Sequence, residues 1–153
     1  MNKNRRDVLR VTSILGLAFS TGLLKTTDVF AAEWSAKIFE AKGIEAALKA
    51  LGAAAPTESK DVSVGGPDIA ENGAVVPISV TSKAPNTEYM AILVDKNPTA
   101  LSAAFNIPAG TEPAINTRIK MGETSKVYAL VKANGKWLIA HKEIKVTLGG
   151  CGG

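Results

Sequence analysis

Residues 125–148 read SKVYALVKANGKWLIAHKEIKVTL, and the Asn134-Gly135 pair in their middle decides the fold. On both sides of that pair apolar and polar side chains alternate, the period of a β-strand with one face in a core. An Asn-Gly connection between such runs favours a type I′ turn, because both central positions need positive φ. The stretch predicts a hairpin of Ser125–Ala133 with Lys136–Leu148. In its second strand Leu138, Ala140, Ile144, Val146 and Leu148 share one side, broken by Lys142. Ile139, His141, Glu143, Lys145 and Thr147 share the other, which reads as the polar side. The apolar side is expected to close the core, so that the chain beyond Leu148 leaves from an anchored base.

Upstream the same period recurs. Asp61–Val64, Ala74–Thr81, Glu88–Asp95, Ala103–Ile107 and Ile115–Met121 are predicted strands. Gly65-Gly66-Pro67, Glu71-Asn72-Gly73, Ala84-Pro85-Asn86, Asn97-Pro98, Pro108-Ala109-Gly110 and Gly122 mark the turns between them. Pro77 lies inside an otherwise good strand and demotes it to an edge or a bulged position, since it cannot donate to a ladder. Short strands at this spacing predict an all-β fold, an immunoglobulin-like antiparallel β-sandwich. The Cys pair of antibody-type domains is missing.

Before the strands the period is 3.6. Trp34, Ile38, Ala41, Ile44, Leu48 and Leu51 recur at helical spacing, which predicts a short helical segment over Glu33–Leu51, bent or interrupted near Gly43. Residues 53–57 read as a linker. The first 31 residues have another character: a basic start with Lys3, Arg5, Arg6 and Arg10, an apolar run from Val11 to Leu24, and the small-residue exit Val29-Phe30-Ala31. These are the parts of a secretory leader. The apolar run is about 14 residues, about 21 Å as a helix, against about 30 Å of hydrocarbon, so no permanent membrane span is expected. Arg5-Arg6-Asp7-Val8-Leu9 resembles a twin-arginine export signal, a route that carries folded cargo to the periplasm. An ordinary secretory leader is the alternative.

The division is thus 1–31 leader, 32–148 helical start plus sandwich, and 149–153 a tail. The formal charge of the whole chain is +4, of which the leader supplies +3. The remainder is nearly neutral, so no basic face argues for nucleic acid or for a membrane surface once the leader is removed.

The tail is Gly149-Gly150-Cys151-Gly152-Gly153, which frames the only cysteine with glycine. Glycine loses the most freedom on ordering, so this frame makes a flexible arm. From Leu148 to Cys151 the arm reaches roughly 10 Å when extended. A lone thiol in an exported chain pairs outside the chain or stays reactive. The arm offers no base and no cation to activate it, and the only histidine, His141, reads as a surface bystander on the polar side of its strand. One His and one Cys so placed make no metal site. The chemistry is expected to come from whatever protein receives the arm.

The leader, the helical start, the sandwich containing Gly66-Pro67-Asp68-Ile69-Ala70-Glu71-Asn72-Gly73-Ala74-Val75-Val76-Pro77 and the Gly-Gly-Cys-Gly-Gly tail together resemble the SoxY family, sulfur-carrier subunits of the periplasmic Sox sulfur-oxidation system. The resemblance runs over essentially the whole chain. It implies a carrier that is itself no enzyme, with no tightly bound cofactor and with thiosulfate-derived sulfur held covalently on Cys151. It implies a heterodimer with SoxZ, loading by a SoxAX haem enzyme and release of sulfate by a SoxB dinuclear-manganese hydrolase. Where present, a sulfane dehydrogenase acts on the remaining sulfur. Besides a different sulfur-delivery carrier, which fits poorly, two other classes stay open on the residues alone. One is an exported thiol-redox protein or disulfide exchanger. The other is a structural β-sandwich interaction module with an incidental terminal thiol.

Overall fold

A computed structural model describes residues 36–148. The leader with Arg5 and Arg6, and the tail with Gly149, Gly150, Cys151, Gly152 and Gly153, lie outside the described residues. Two helices come first, α1 (Ala36–Phe39) and α2 (Ile44–Ala50), separated at Gly43, whose φ is +79°. Gly52, with φ +72°, ends α2: the Ala53 amide reaches back to the Leu48 carbonyl at 2.8 Å, and the Gly52 amide to Lys49 at 3.1 Å. This is the paired bonding that closes a helix through a left-handed glycine.

Nine strands follow: β1 (Thr57–Glu58), β2 (Val62–Gly65), β3 (Ile69–Ala70), β4 (Val76–Ser82), β5 (Thr87–Val94), β6 (Leu101–Asn106), β7 (Ala114–Ile119), β8 (Ser125–Ala133) and β9 (Lys136–Val146). They form a sandwich. The larger sheet runs β1-β9-β8-β5-β6, with β3 also paired to β9, and the smaller runs β2-β4-β7. Between the sheets lie Val76, Ile78 and Val80 of β4, Met90, Ile92 and Val94 of β5, Val127 and Val131 of β8, and Ile144 of β9.

The hairpin is as the sequence reads it. Asn134 and Gly135 have φ +49° and +71°, and Ser125 pairs with Ile144 while Ala133 pairs with Lys136. Three expectations change. The face of β9 that reads as polar carries Ile139 into a second apolar cluster with Leu93, Leu101, Leu130, Ala47 and Leu48. The larger sheet is therefore covered twice, by the smaller sheet and by the helices. That double burial explains the unbroken apolar run Met90–Val94.

The sandwich is also not purely antiparallel. β1 and β3 pair with β9 in parallel, at Thr57↔Leu138 and Glu58↔Ile139, then at Ile69↔Lys145 and Ala70↔Val146. Two-residue strands carry no periodicity to read, so Thr57 falls in the predicted linker and Ile69-Ala70 in a predicted gap. Together they cover much of the outer edge of β9, an edge that would otherwise invite pairing with another chain. Finally, β4 is the central strand of its sheet. Its pairing with β2 stops at Gly65↔Ser79, so at Pro77 only β7 flanks it, through Arg118. The strand is central, and the proline sits where it is locally an edge.

Candidate functional site

The described part of the site is the base from which residues 149–153 depart. β9 does not simply end in solvent; the segment Asp68–Gly73 runs beside its last residues and bonds them in turn. The Lys145 amide donates to the Asp68 carbonyl at 3.0 Å, the Thr147 amide to Ala70 at 3.1 Å, and the Gly73 amide to the Leu148 carbonyl at 2.7 Å. The Thr147 hydroxyl adds a bond to the Glu71 carbonyl at 3.0 Å. Gly73 is held from behind as well, since its carbonyl accepts from the amide of the fully buried Met121 at 2.7 Å. The base of the arm is thereby tied through the backbone to the core.

The tie is not made by the Leu148 side chain. The face count places Leu148 with the core, yet it is 65% exposed; β9 ends at Val146, two residues before it. The large apolar side chains exposed among the described residues all belong to this neighbourhood: Leu148, Ile69 at 56% in β3, and Val75 at 55%, two residues past Gly73. The arm leaves from an apolar rim.

Lys142, which interrupts the apolar side of β9, has its reason in the same segment. Its ammonium donates to the Gly66 carbonyl at 2.6 Å and pairs with the Asp68 carboxylate at 2.9 Å. That hydrogen-bonded ammonium holds the Asp68 carboxyl below its ordinary range. Sequence reasoning did not single out this clamp. The signals were a lysine on an apolar face and an Asp at the head of the Ile-Ala-Glu-Asn-Gly stretch. Asn72 shapes the loop itself, its side-chain oxygen accepting from the Ala74 amide at 2.8 Å.

His141 stands in another environment, its Nδ1 3.6 Å from Glu58 and its ring 5.4 Å from that of Tyr128. Burial raises the Tyr128 hydroxyl, with Asp95 and Glu58 adding to the shift; burial also raises Tyr89. Among the described residues no group of three or more His, Cys, Asp and Glu could hold a metal ion, and no helix is long and apolar enough to cross a membrane. The described residues give residue 149 a fixed point of departure.

Comparison with known proteins agrees with this geometry. The family model described as sulfur oxidation protein SoxY matches residues 47–151. The structure of the sulfur carrier protein SoxY from Chlorobium limicola f thiosulfatophilum is similar with TM-score 0.63 and 32% identity, over 74% of this chain and 100% of that one. A superoxide reductase (neelaredoxin) from Ignicoccus hospitalis shares the sandwich alone, at 18% identity and TM-score 0.50, over 56% of this chain and 79% of that one. Comparison with curated proteins gives no match.

Proposed function

The chain belongs to the SoxY family of sulfur-oxidation proteins, and on that premise we propose that Cys151 is the covalent attachment point for thiosulfate-derived sulfur. The observation that carries the reading is the bonding of residues 145–148 to the 68–73 segment, which fixes one end of the Gly149-Gly150 spacer to a rigid body. A carrier needs this combination. The sandwich sets where the arm starts, and the glycines set how far the thiol ranges and how narrow a channel it can enter.

Loading joins the thiol to thiosulfate as Cys–S–SSO3−, releasing one proton and two electrons; a haem enzyme of the SoxAX type takes the electrons. Hydrolysis of the terminal sulfonate then adds one water and releases sulfate and two protons, leaving a persulfide anion on Cys151. A SoxB-type hydrolase supplies that step, and a sulfane dehydrogenase oxidises the remaining sulfur where the organism has one. The chain contributes position, and its partners contribute the electrostatic stabilisation of each transition state. Pairing with SoxZ, export through Arg5-Arg6 and work in the periplasm complete the reading.

The test is the intact mass of the protein isolated from thiosulfate-grown cells, before and after reductant. A thiosulfate-derived adduct, removable by reductant and mapping to Cys151, is the expected result. An unmodified mass under those conditions, with the partner enzymes present, would instead favour a structural module.

A further inference from the structure

Two Asn-Gly steps stand in the chain, Asn72-Gly73 and Asn134-Gly135. Before glycine, an asparagine side chain lies open to attack by the next backbone nitrogen, because no Cβ obstructs the approach. The nitrogen adds to Cγ and closes a five-membered succinimide. The amide proton leaves with the departing ammonia. Water then opens the ring at one of its two carbonyls, giving aspartate or isoaspartate. Isoaspartate routes the main chain through the side chain and so lengthens it by one methylene. Water is the only co-reactant.

Asn72-Gly73 belongs to the 68–73 segment that straps the end of β9, and the fold treats its two reacting groups in opposite ways. The electrophile is prepared. Asn72 is exposed, and its Oδ1 accepts from the Ala74 amide at 2.8 Å. The negative charge that develops on that oxygen during attack meets a donor already in place. The nucleophile is withheld. Gly73 is buried, and its amide donates to the Leu148 carbonyl at 2.7 Å. An amide nitrogen attacks only after giving up its proton, and here that proton is held between two backbone groups. The Gly73 carbonyl is bound in turn by the amide of Met121.

We propose that Asn72-Gly73 is a self-modification site gated by the bond between Gly73 and Leu148. Opening of the strap frees the Gly73 nitrogen, and a fraction of openings ends with that nitrogen on Asn72. Isoaspartate at 72 then makes the opening permanent, since the added methylene shifts Gly73 away from the Leu148 carbonyl. The strap keeps an irreversible count of its own releases, and the end of β9 has a finite life as a fixed point. This holds whether or not Cys151 carries sulfur. Asn134-Gly135 lies at the opposite end of the β8–β9 hairpin, where Asn86 and the Pro85 carbonyl hold the Asn134 side chain. Opening of the strap leaves that step untouched.

The test ages the full chain at mildly alkaline pH, folded and in guanidinium chloride, and maps aspartate and isoaspartate at residues 72 and 134 by electron-transfer fragmentation. In the denaturant the two steps should convert at similar rates. In the folded chain residue 72 is expected to convert at least roughly tenfold more slowly than in denaturant, as a reaction that waits on local opening does. Thr147→Val removes one bond of the strap, and it is expected to speed residue 72 roughly threefold while leaving residue 134 unchanged. Amide exchange at Gly73 needs the same opening. Across Thr147→Val and a series of denaturant concentrations below unfolding, exchange and conversion should therefore rise in proportion. The purified isoaspartate form should lose exchange protection at Gly73, and Asn72→Asp, which adds the charge without the methylene, should keep it.

Equal conversion of residue 72 in folded and denatured chains overturns the gate. So does conversion that rises without Gly73 exchange, which would place the reaction outside strap opening. Exchange at Gly73 with no product at 72 overturns the site itself, because the opened loop then fails to bring nitrogen to Cγ. None of these results touches the carrier reading, which fails separately, through an unmodified native mass.

Discussion

The backbone amide of Gly73 donates to the carbonyl of Leu148 at 2.7 Å, tying the loop that leads into β4 to the last described residue of the chain. The carbonyl of the same glycine accepts from the amide of buried Met121, so one residue links the start of the arm to the core on both of its sides. The last described residue is in this way fixed to the sandwich.

Thr147→Val tests that tie. It deletes the hydroxyl bond to the Glu71 carbonyl and keeps the shape of the side chain. The bond is exposed, so the loss of stability should be at most about 1 kcal/mol. Amide hydrogen exchange at Gly73 should nevertheless quicken several-fold, because Thr147 helps hold the Leu148 carbonyl in place. Unchanged exchange at Gly73 would show that the backbone bonds suffice alone.

The clamp of Asp68 on Lys142 should be sensitive to acid. A carboxyl whose folded pKa is lowered contributes stability above its unfolded value, and that contribution is lost as pH falls through the folded value. The Lys142 ammonium lowers Asp68, so the clamp should be intact at neutral pH and open only below about pH 4. Side-chain carbon NMR should find the Asp68 midpoint below the ordinary 3.9 or so, and Lys142→Met should return it there. A midpoint already at the ordinary value in the wild type would remove the ion pair from the account of the arm's base.

The two adjacent glycines at the end of β2 should respond differently to alanine. At Gly66 the new Cβ would meet the Cδ1 atoms of Ile78 and Ile144 at 3.0 and 3.2 Å and the Pro77 carbonyl oxygen at 3.3 Å. Both isoleucines belong to the packed core, so Gly66→Ala should cost about 1–3 kcal/mol by overpacking. At Gly65 the obstacle is the Ser79 hydroxyl, which can rotate toward solvent, so the stability loss in urea should be smaller. Equal losses at the two positions would contradict the placement of Gly66 against the core and of Gly65 on the outer face.

The hairpin turn also fastens a neighbouring turn. Asn134 has φ +49°; its side-chain oxygen accepts from Asn86 at 2.8 Å and its amide donates to the Pro85 carbonyl at 3.1 Å. Asn134→Ala keeps the strands but loses both bonds and places a plain Cβ in the left-handed region. The expected cost is about 1–2 kcal/mol in urea denaturation. Asn134→Gly relieves the backbone and not the bonds, so it should fall between alanine and the wild type.

How much of this the sequence discloses depends on length of pattern. β8 and β9 repeat their alternation over nine and eleven residues, and the turn between them has a residue code. Gly43 punctuates the helices as expected. Ile139 misleads because alternation reveals which residues share a face and not what covers that face; here two helices do. β1 and β3 are too short for any period, and their pairing with β9 is set by chain geometry far from their own residues. At the site, the Gly-Gly-Cys-Gly-Gly frame lies outside the described residues, and its reading as an arm rests on composition. The strap that holds Leu148 is not legible in the sequence, since it works through backbone atoms of residues 68, 70, 71 and 73, whose side chains do not announce it.

The arm itself yields the most direct prediction. Cys151→Ser removes the sulfur that loading requires, and serine oxygen cannot form the S–S bond to thiosulfate. Conjugation should be abolished, with unfolding midpoint and partner binding unchanged, because the bonds that hold the base end at Leu148. A thiosulfate-dependent mass adduct on the serine variant would place the attachment elsewhere. Gly150→Val and Gly152→Val probe the other half of the idea. A β-branched side chain beside the thiol stiffens the backbone and widens it, so a narrow channel should reject it while a small reagent in solution does not notice. Thiol titration with a small disulfide should therefore match the wild type, and turnover with the partner enzymes should fall at least about tenfold, as displacement from productive geometry does. Full turnover in either valine variant would mean that the receiving sites bind the thiol without enclosing the chain around it.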